Sequence, residues 1–208
     1  MDNITENVLQ DSSDNTPENI TDNTPDIKAG KKIDKKKVLK EILGWGMSLA
    51  IAFILAIIIN NTLIANAIVV SSSMESTIMT DSRIICSRVA YVLYKPERFD
   101  IILFWPPDEI TTVPFVKRII GLPNEKVEII DGKVYINDSD VPLDDSFIKE
   151  TARGDFGPFY VPEDSYFVMG DNRNDSFDSK NWVTKYVSID KIMGKVFVEY
   201  YPTPKFID

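Results

Sequence analysis

From Ile42 to Ile59 the chain reads ILGWGMSLAIAFILAIII, eighteen residues without a charge. A helix of that length spans about 27 Å at ~1.5 Å per residue, close to the ~30 Å hydrocarbon core of a bilayer. Apolar residues fall on every face, which predicts a membrane-spanning helix rather than a surface one. The uncharged stretch NNTLIANAIVV extends the segment, and we bound the expected span as 42–67. Beyond it the pattern changes to short apolar runs broken by Pro, Gly and Asp. Strands are predicted at 83–88, 100–105, 113–120, 126–130, 133–137, 166–169 and 193–200, and Asp131-Gly132 marks a two-residue hairpin turn between two of them. No long helical period follows residue 70. The expected fold class is therefore mainly β: a single N-terminal transmembrane helix followed by a small antiparallel, partly closed β domain over 68–208.

Charge refines this division. Residues 1–27 contain seven acidic residues and no Lys or Arg, with DNTPENIT followed by DNTPDI as a loose duplication. Such a polar tract has too little to bury to offset its ordering entropy, and a disordered acidic tail is expected there. Residues 28–41 then hold seven lysines against Asp34 and Glu41. A basic segment just before an apolar span points the N-terminus to the cytosol and residues 68–208 to the extracytoplasmic side of the cell membrane. Ala65-Asn66-Ala67 has the form of a signal-peptide cleavage site, but the apolar region is long and a 41-residue segment precedes it, so an uncleaved signal anchor is expected. Cleavage there would leave Ile68 as a new N-terminus.

Composition then removes whole classes of chemistry. Among 208 residues there is no histidine, which excludes Ser-His-Asp and Cys-His catalysis. One cysteine, Cys86, allows no intrachain disulfide. The net charge of −9 gives no general grip on nucleic acid. The acidic loop 170–180 departs from a calcium-loop pattern, with Arg173 at a ligand position and Trp182 where the bidentate Glu belongs. Neither metal nor cofactor is expected.

Two features could carry catalysis without imidazole. Ser71-Ser72-Ser73 follows the apolar segment and reads on composition as a linker. Lys117 lies in FVKRII, sharing a strand face with Phe115 and Ile119. A solvated edge lysine is the ordinary explanation. A lysine turned into apolar surroundings would instead lose hydration, and its neutral amine could take a proton from a serine hydroxyl. Cys86 is a rival nucleophile without a base, and its apolar neighbours suit a core position.

Four segments in order resemble the type I signal peptidases, in particular the short single-span bacterial form. SSSMEST at 71–77 is similar to the family's nucleophile segment, usually S-M-x-P-T. RFDIILF at 98–104 resembles a structural strand, FVKRIIGLPNEKVEI at 115–129 the lysine segment, and GDNRNDSFDSK at 170–180 with Met193-Gly194-Lys195 the last. The resemblance implies Ser73 as nucleophile and Lys117 as general base. It implies Ser71 and the Ser73 amide as the oxyanion hole, Ser176 as the group orienting the lysine, and Asp171, Arg173 and Asp178 as loop support. Pocket walls implied for the substrate are Val69, Met74, Ile78, Ile84, Phe115 and Val116. The family fold is a largely antiparallel β domain lying against the lipid bilayer, and its reaction is removal of signal peptides from secreted preproteins after a small-x-small (Ala-x-Ala) motif.

This sequence departs from the pattern at three positions. Ser76 stands where proline is usual, Phe99 where glycine commonly precedes the Asp, and Lys180 where arginine is frequent. The first predicts a less rigid turn and the last a lost bidentate fork. Two other readings share these residues: a Ser/Lys self-cleaving protease, and an inactive or binding-only anchored β module. The anchor and the lack of a DNA-binding domain argue against the former.

Overall fold

The computed structural model describes residues 34–107 and 111–207. The predicted acidic tail and the first lysines of the basic segment lie outside the described residues. Helix α1 runs over Lys35–Thr62. Asp34 starts it as an N-cap, its carboxylate accepting the Lys36 N–H at 3.0 Å. Asn60, Asn61 and Thr62, whose side chains compete for backbone hydrogen bonds, end it. None of its residues is buried, and it is long and apolar enough to cross a membrane.

The apolar segment expected to reach residue 67 divides here. Ile64–Ile68 is strand β1, paired antiparallel with β2 (Arg83–Ser87) from Ile64↔Ser87 to Ile68↔Arg83. An uncharged run does not distinguish helix from strand, and the partner strand decides. Ala65-Asn66-Ala67 is thereby paired with β2 along its whole length.

The remaining elements are a short helix α2 (Ala90–Leu93) and strands β3 (Ile101–Phe104), β4 (Phe115–Gly121), β5 (Lys126–Ile130), β6 (Lys133–Ile136), β7 (Phe156–Tyr160), β8 (Ser165–Met169), β9 (Val187–Ser188), β10 (Ile192–Tyr201) and β11 (Lys205–Phe206). The larger sheet has the order β1-β2-β10-β3-β4-β8-β9, with β11 on β10, and every pairing is antiparallel. Register shifts interrupt β10 against both neighbours, and such bulges bend a strand and curl its sheet. The smaller sheet, β6-β5-β7, carries the predicted hairpin: Asp131 and Gly132 take φ of 50° and 74°, and Ile130 pairs with Lys133. The protein is mainly β, as its pattern predicts.

Three apolar clusters fill the sheets. One joins Val69, Met74, Ile78, Ile84, Cys86 and Ile207. A second gathers Ile102, Phe104, Ile119 and Trp182, and a third lies between the sheets around Val127 and Phe167. Strand β4 passes among them, with Val116 against the first, Phe115 and Ile119 in the second and Ile120 in the third. A polar side chain at the middle of β4 is thus surrounded by core.

Candidate active site

Ser73 sits in a single 3-10 turn, Ser72–Met74, entered from extended backbone at Ser71. The turn continues as Thr77 N–H and Ile78 N–H donate to the Met74 carbonyl at 3.0 and 2.8 Å. The loop 170–180 holds this turn from the other side. Asn172 donates its backbone N–H to the Ser73 carbonyl and its side-chain amide to the Ser72 carbonyl, both at 3.1 Å, and the Ser72 hydroxyl donates to Asp175 at 2.8 Å. Gly170 makes this close approach feasible, since a Cβ there would lie 2.3 Å from both the Ser73 carbonyl oxygen and Ser176 Oγ.

Lys117, in β4 opposite Ile102, is 4% exposed, and its Nζ donates a hydrogen bond to Ser73 Oγ. Ser71 Oγ lies 3.2 Å from Ser73 Oγ. Burial is the main reason that the Lys117 ammonium is pushed down from 10.5 to about 8; Asp178 and Asp171 pull it back up, while nearby Lys180 lowers it further. An amine so placed is partly neutral just above neutral pH. The residues that the chain spacing separates by 44 positions thus form one pair, a hydroxyl and a dehydrated amine.

The loop residues are built in with equal care. Asp178, fully buried, accepts the Gly170 N–H at 3.0 Å and meets the Lys180 ammonium with both oxygens at 3.1 Å. Lys180 also donates to the Ser176 carbonyl at 3.1 Å, so its three-donor head reaches both carboxylate oxygens without a fork. Asp171 receives Arg118 Nε at 2.9 Å and Nη2 at 2.7 Å, while Nη1 donates to the Phe99 carbonyl at 2.9 Å. Both side chains are buried, at 4% and 1% exposure, so this bidentate pair is a fully desolvated ion pair. Ser176 is buried too, but its hydroxyl has no hydrogen-bond partner among the described residues and makes none with Lys117. Arg173 approaches Asp145 at 3.9 Å.

A groove of about 660 Å³ opens at the Ser73–Lys117 pair, walled by residues 65–74 on one side and 113–117 on the other. Of the expected pocket residues, Val69, Met74, Phe115 and Val116 line it. Ile78 and Ile84 do not: both are wholly buried in the first core cluster, because their strand and turn positions face inward. Both walls carry open strand edge. β1 ends the sheet, and β4 pairs only with β3 until Arg118 meets Met169 of β8. Four antiparallel steps separate β1 from β4, so the two run in the same direction. A peptide laid between them meets both walls in one sense.

Comparison with known proteins decides the class. A match to the signal peptidase, peptidase S26, family covers residues 42–201. The chain belongs to the signal peptidase S26 family. It is 38% identical over 164 residues to a probable signal peptidase I-2 of Synechocystis, covering 77% of this chain and 73% of that one. It is 37% identical over 180 residues to signal peptidase I P of Bacillus subtilis subsp. natto, covering 83% and 94%. A solved signal peptidase I from Enterococcus faecalis is 35% identical and covers 49% of this chain and 96% of its own, with a TM-score of 0.41. This signal peptidase is thus a protease that removes signal peptides, and preproteins bearing them are its substrates.

Several site residues of the peptidase escape a reading of its sequence. Phe147, from the long β6–β7 connection, stacks on Arg118 at 4.2 Å, and Glu150 accepts the backbone and side-chain N–H groups of Asn174 at 3.0 and 2.6 Å. Nothing in that connection has a strand or helix period, so only the fold reveals that it braces the loop 170–180. Leu103 and Met193 line the groove from strands that read as core. Ser76 takes φ of 73°, which a proline cannot adopt, so the turn here differs in kind from S-M-x-P-T rather than being a loosened copy. Phe99 takes φ of 74°, a conformation suited to glycine, and its ring packs edge-on to Phe147 at 5.6 Å. Cys86 is fully buried and burial pushes its thiol up to about 12, which makes it inert as a nucleophile.

Proposed function

We propose that this signal peptidase cleaves preproteins after an Ala-x-Ala motif by Ser73/Lys117 dyad chemistry, anchored in the cell membrane by α1. The observation that carries the reading is the hydrogen bond from a buried, pKa-lowered Lys117 to the Ser73 hydroxyl. The chain has no histidine, and among the described residues Lys117 is the amine that touches a hydroxyl at the groove.

The geometry supports the following steps. The preprotein segment lies extended between 65–70 and 113–117, its main chain pairing with the open edges and alternate side chains entering the groove. Residues −1 and −3 point the same way in such a strand, toward a groove whose lining includes Val69 and Phe115, and small side chains are expected at both. Neutral Lys117 Nζ takes the Ser73 Oγ proton as Oγ bonds to the −1 carbonyl carbon. The Ser71 hydroxyl and the Ser73 amide receive the oxyanion; losing one such donor costs about 10²–10³ in turnover. Lys117 then gives its proton to the departing amine as the C–N bond breaks. A water, deprotonated by the same amine, opens the acyl-enzyme and returns Ser73. Ser176, whose buried hydroxyl has no hydrogen-bond partner among the described residues, turns to the amine and orients it through this cycle, and Asp171, Arg173 and Asp178 hold the loop.

The helix α1 fits a span in the lipid bilayer, with the lysines at its N-terminal end on the cytosolic side and the β domain extracytoplasmic. Detergent-solubilised protein incubated with a labelled Ala-x-Ala preprotein is expected to release the presequence, and the Ser73→Ala variant to release none. Cleavage confined to the enzyme's own chain would favour a self-cleaving protease instead. The same assay gives the pH dependence. The acting form is the neutral amine, so kcat/KM rises with pH through an inflection near 8 and falls about tenfold per pH unit below it. A rate independent of pH between 6 and 9 would remove the lysine from the mechanism.

A further inference from the structure

The turn after Ser73 is also held from the C-terminal end of the fold. The Thr77 carbonyl accepts a hydrogen bond from Lys205 Nζ at 2.7 Å, across 128 residues of chain. The β10–β11 register pairs Glu199 with Lys205, and their charged groups meet at 2.9 Å. Glu199 is 2% exposed and its other oxygen accepts the hydroxyl of fully buried Ser82 at 2.6 Å. Ile207, two residues beyond Lys205, is buried in the cluster that contains Met74 and Ile78. A continuous relay, Ser82–Glu199–Lys205–Thr77, therefore runs from the core to the turn.

This turn needs an external brace. Ser76 adopts a left-handed backbone that disfavours any residue with a Cβ, so the sequence of the turn does not enforce its own shape. Its last carbonyl, that of Thr77, has no successor N–H within the turn to satisfy it, as at the end of any helical segment. The Thr77 hydroxyl is already given to Asp171 at 2.5 Å. Lys205 closes the remaining side. Its own half-exposed ammonium would wander without the buried carboxylate that pins it.

We propose that Lys205, held by Glu199, is a positioning residue that closes the turn 74–78 and so fixes the Ser73 hydroxyl against Lys117. The inference rests on Ser73 being the nucleophile. It acts through the turn and not on substrate, so it predicts an effect on turnover rather than on binding. The test uses the full chain in detergent with a labelled Ala-x-Ala preprotein, comparing the parent, Lys205→Met, Lys205→Arg and Ser73→Ala. Lys205→Met keeps the length of the side chain and removes its charge. Its kcat, measured well below the Tm of the variant, is expected to fall roughly tenfold, within the ~10²-fold that a 1 Å misplacement can cost, with KM unchanged; Tm falls as well, because Glu199 is left buried without its cation. Lys205→Arg restores most of the loss, because guanidinium can still bridge the carboxylate and the carbonyl. Parent-like kcat in Lys205→Met at a temperature where the variant is fully folded, a loss that appears in KM alone, or a Lys205→Arg enzyme no better than Lys205→Met would each overturn the proposal. Activity surviving in Ser73→Ala would instead remove the nucleophile assignment on which it stands, so the two failures are told apart.

Discussion

Lys117→Arg is expected to leave a folded enzyme without cleavage activity, down by roughly 10⁴-fold or more, the scale of losing one member of a catalytic unit. The substitution keeps the charge and much of the length, so it isolates the one property that the mechanism needs. Guanidinium keeps its proton at any usable pH and cannot accept one from Ser73. Lys117→Ala is expected to match it, and Ser73→Ala to match both, because a dyad missing either part does nothing that the other can complete. Initial rates on an Ala-x-Ala preprotein, with circular dichroism to check folding, measure this. A Lys117→Arg enzyme that cleaves at the parent's rate would show that Lys117 serves as a charge and not as a base.

The largest effect on stability is expected at Asp171. Removing its carboxylate by Asp171→Ala strands the Arg118 guanidinium, 4% exposed, with two of its nitrogens unpartnered. Breaking a buried ion pair from one side typically costs about 3–5 kcal/mol, since the remaining charge is neither solvated nor paired. For a chain of this size that corresponds to a fall in Tm of roughly 10 °C. The Thr77 hydroxyl loses its acceptor as well, so the turn carrying Ser73 should loosen and kcat should fall with stability. Replacing both partners at once, Arg118→Met with Asp171→Leu, is expected to recover much of the stability, because the pair is costly to desolvate and its loss as a unit is cheap. Thermal unfolding of the parent and the two variants tests this. Equal Tm for Asp171→Ala and the parent would mean that the ion pair is not the brace described here.

How much of this was legible in the sequence depends on range. The apolar helix and the main strands could be read from local pattern, because each is set by neighbours a few residues apart. The hairpin at Asp131-Gly132 could be read from turn chemistry alone. Helix α1 stops at Thr62 rather than running on to 67 because Ile64–Ile68 finds a partner in β2, and nothing local announces that pairing. Strand β7 does not show in the sequence, because Gly157 and Pro158 interrupt any alternating pattern in FGPFY. Ser73 and Lys117 were ambiguous on composition and gained meaning from four segments found in family order. Their contact joins residues far apart in the chain, as do the braces from Glu150 to Asn174 and from Lys205 to Thr77. The φ of 73° at Ser76 was equally unreadable, since serine allows many conformations and only the surrounding contacts select one.

The proton on Lys117 is the heart of the account, and it can be watched directly. Selective ¹³C labelling of the lysine Cε positions in detergent-solubilised protein, with Lys117→Met to assign the resonance, would follow its titration by NMR. The account predicts that this one signal titrates near 8, well below the ordinary lysine value of 10.5. A Lys117 resonance that titrates at the ordinary value of 10.5 would contradict it.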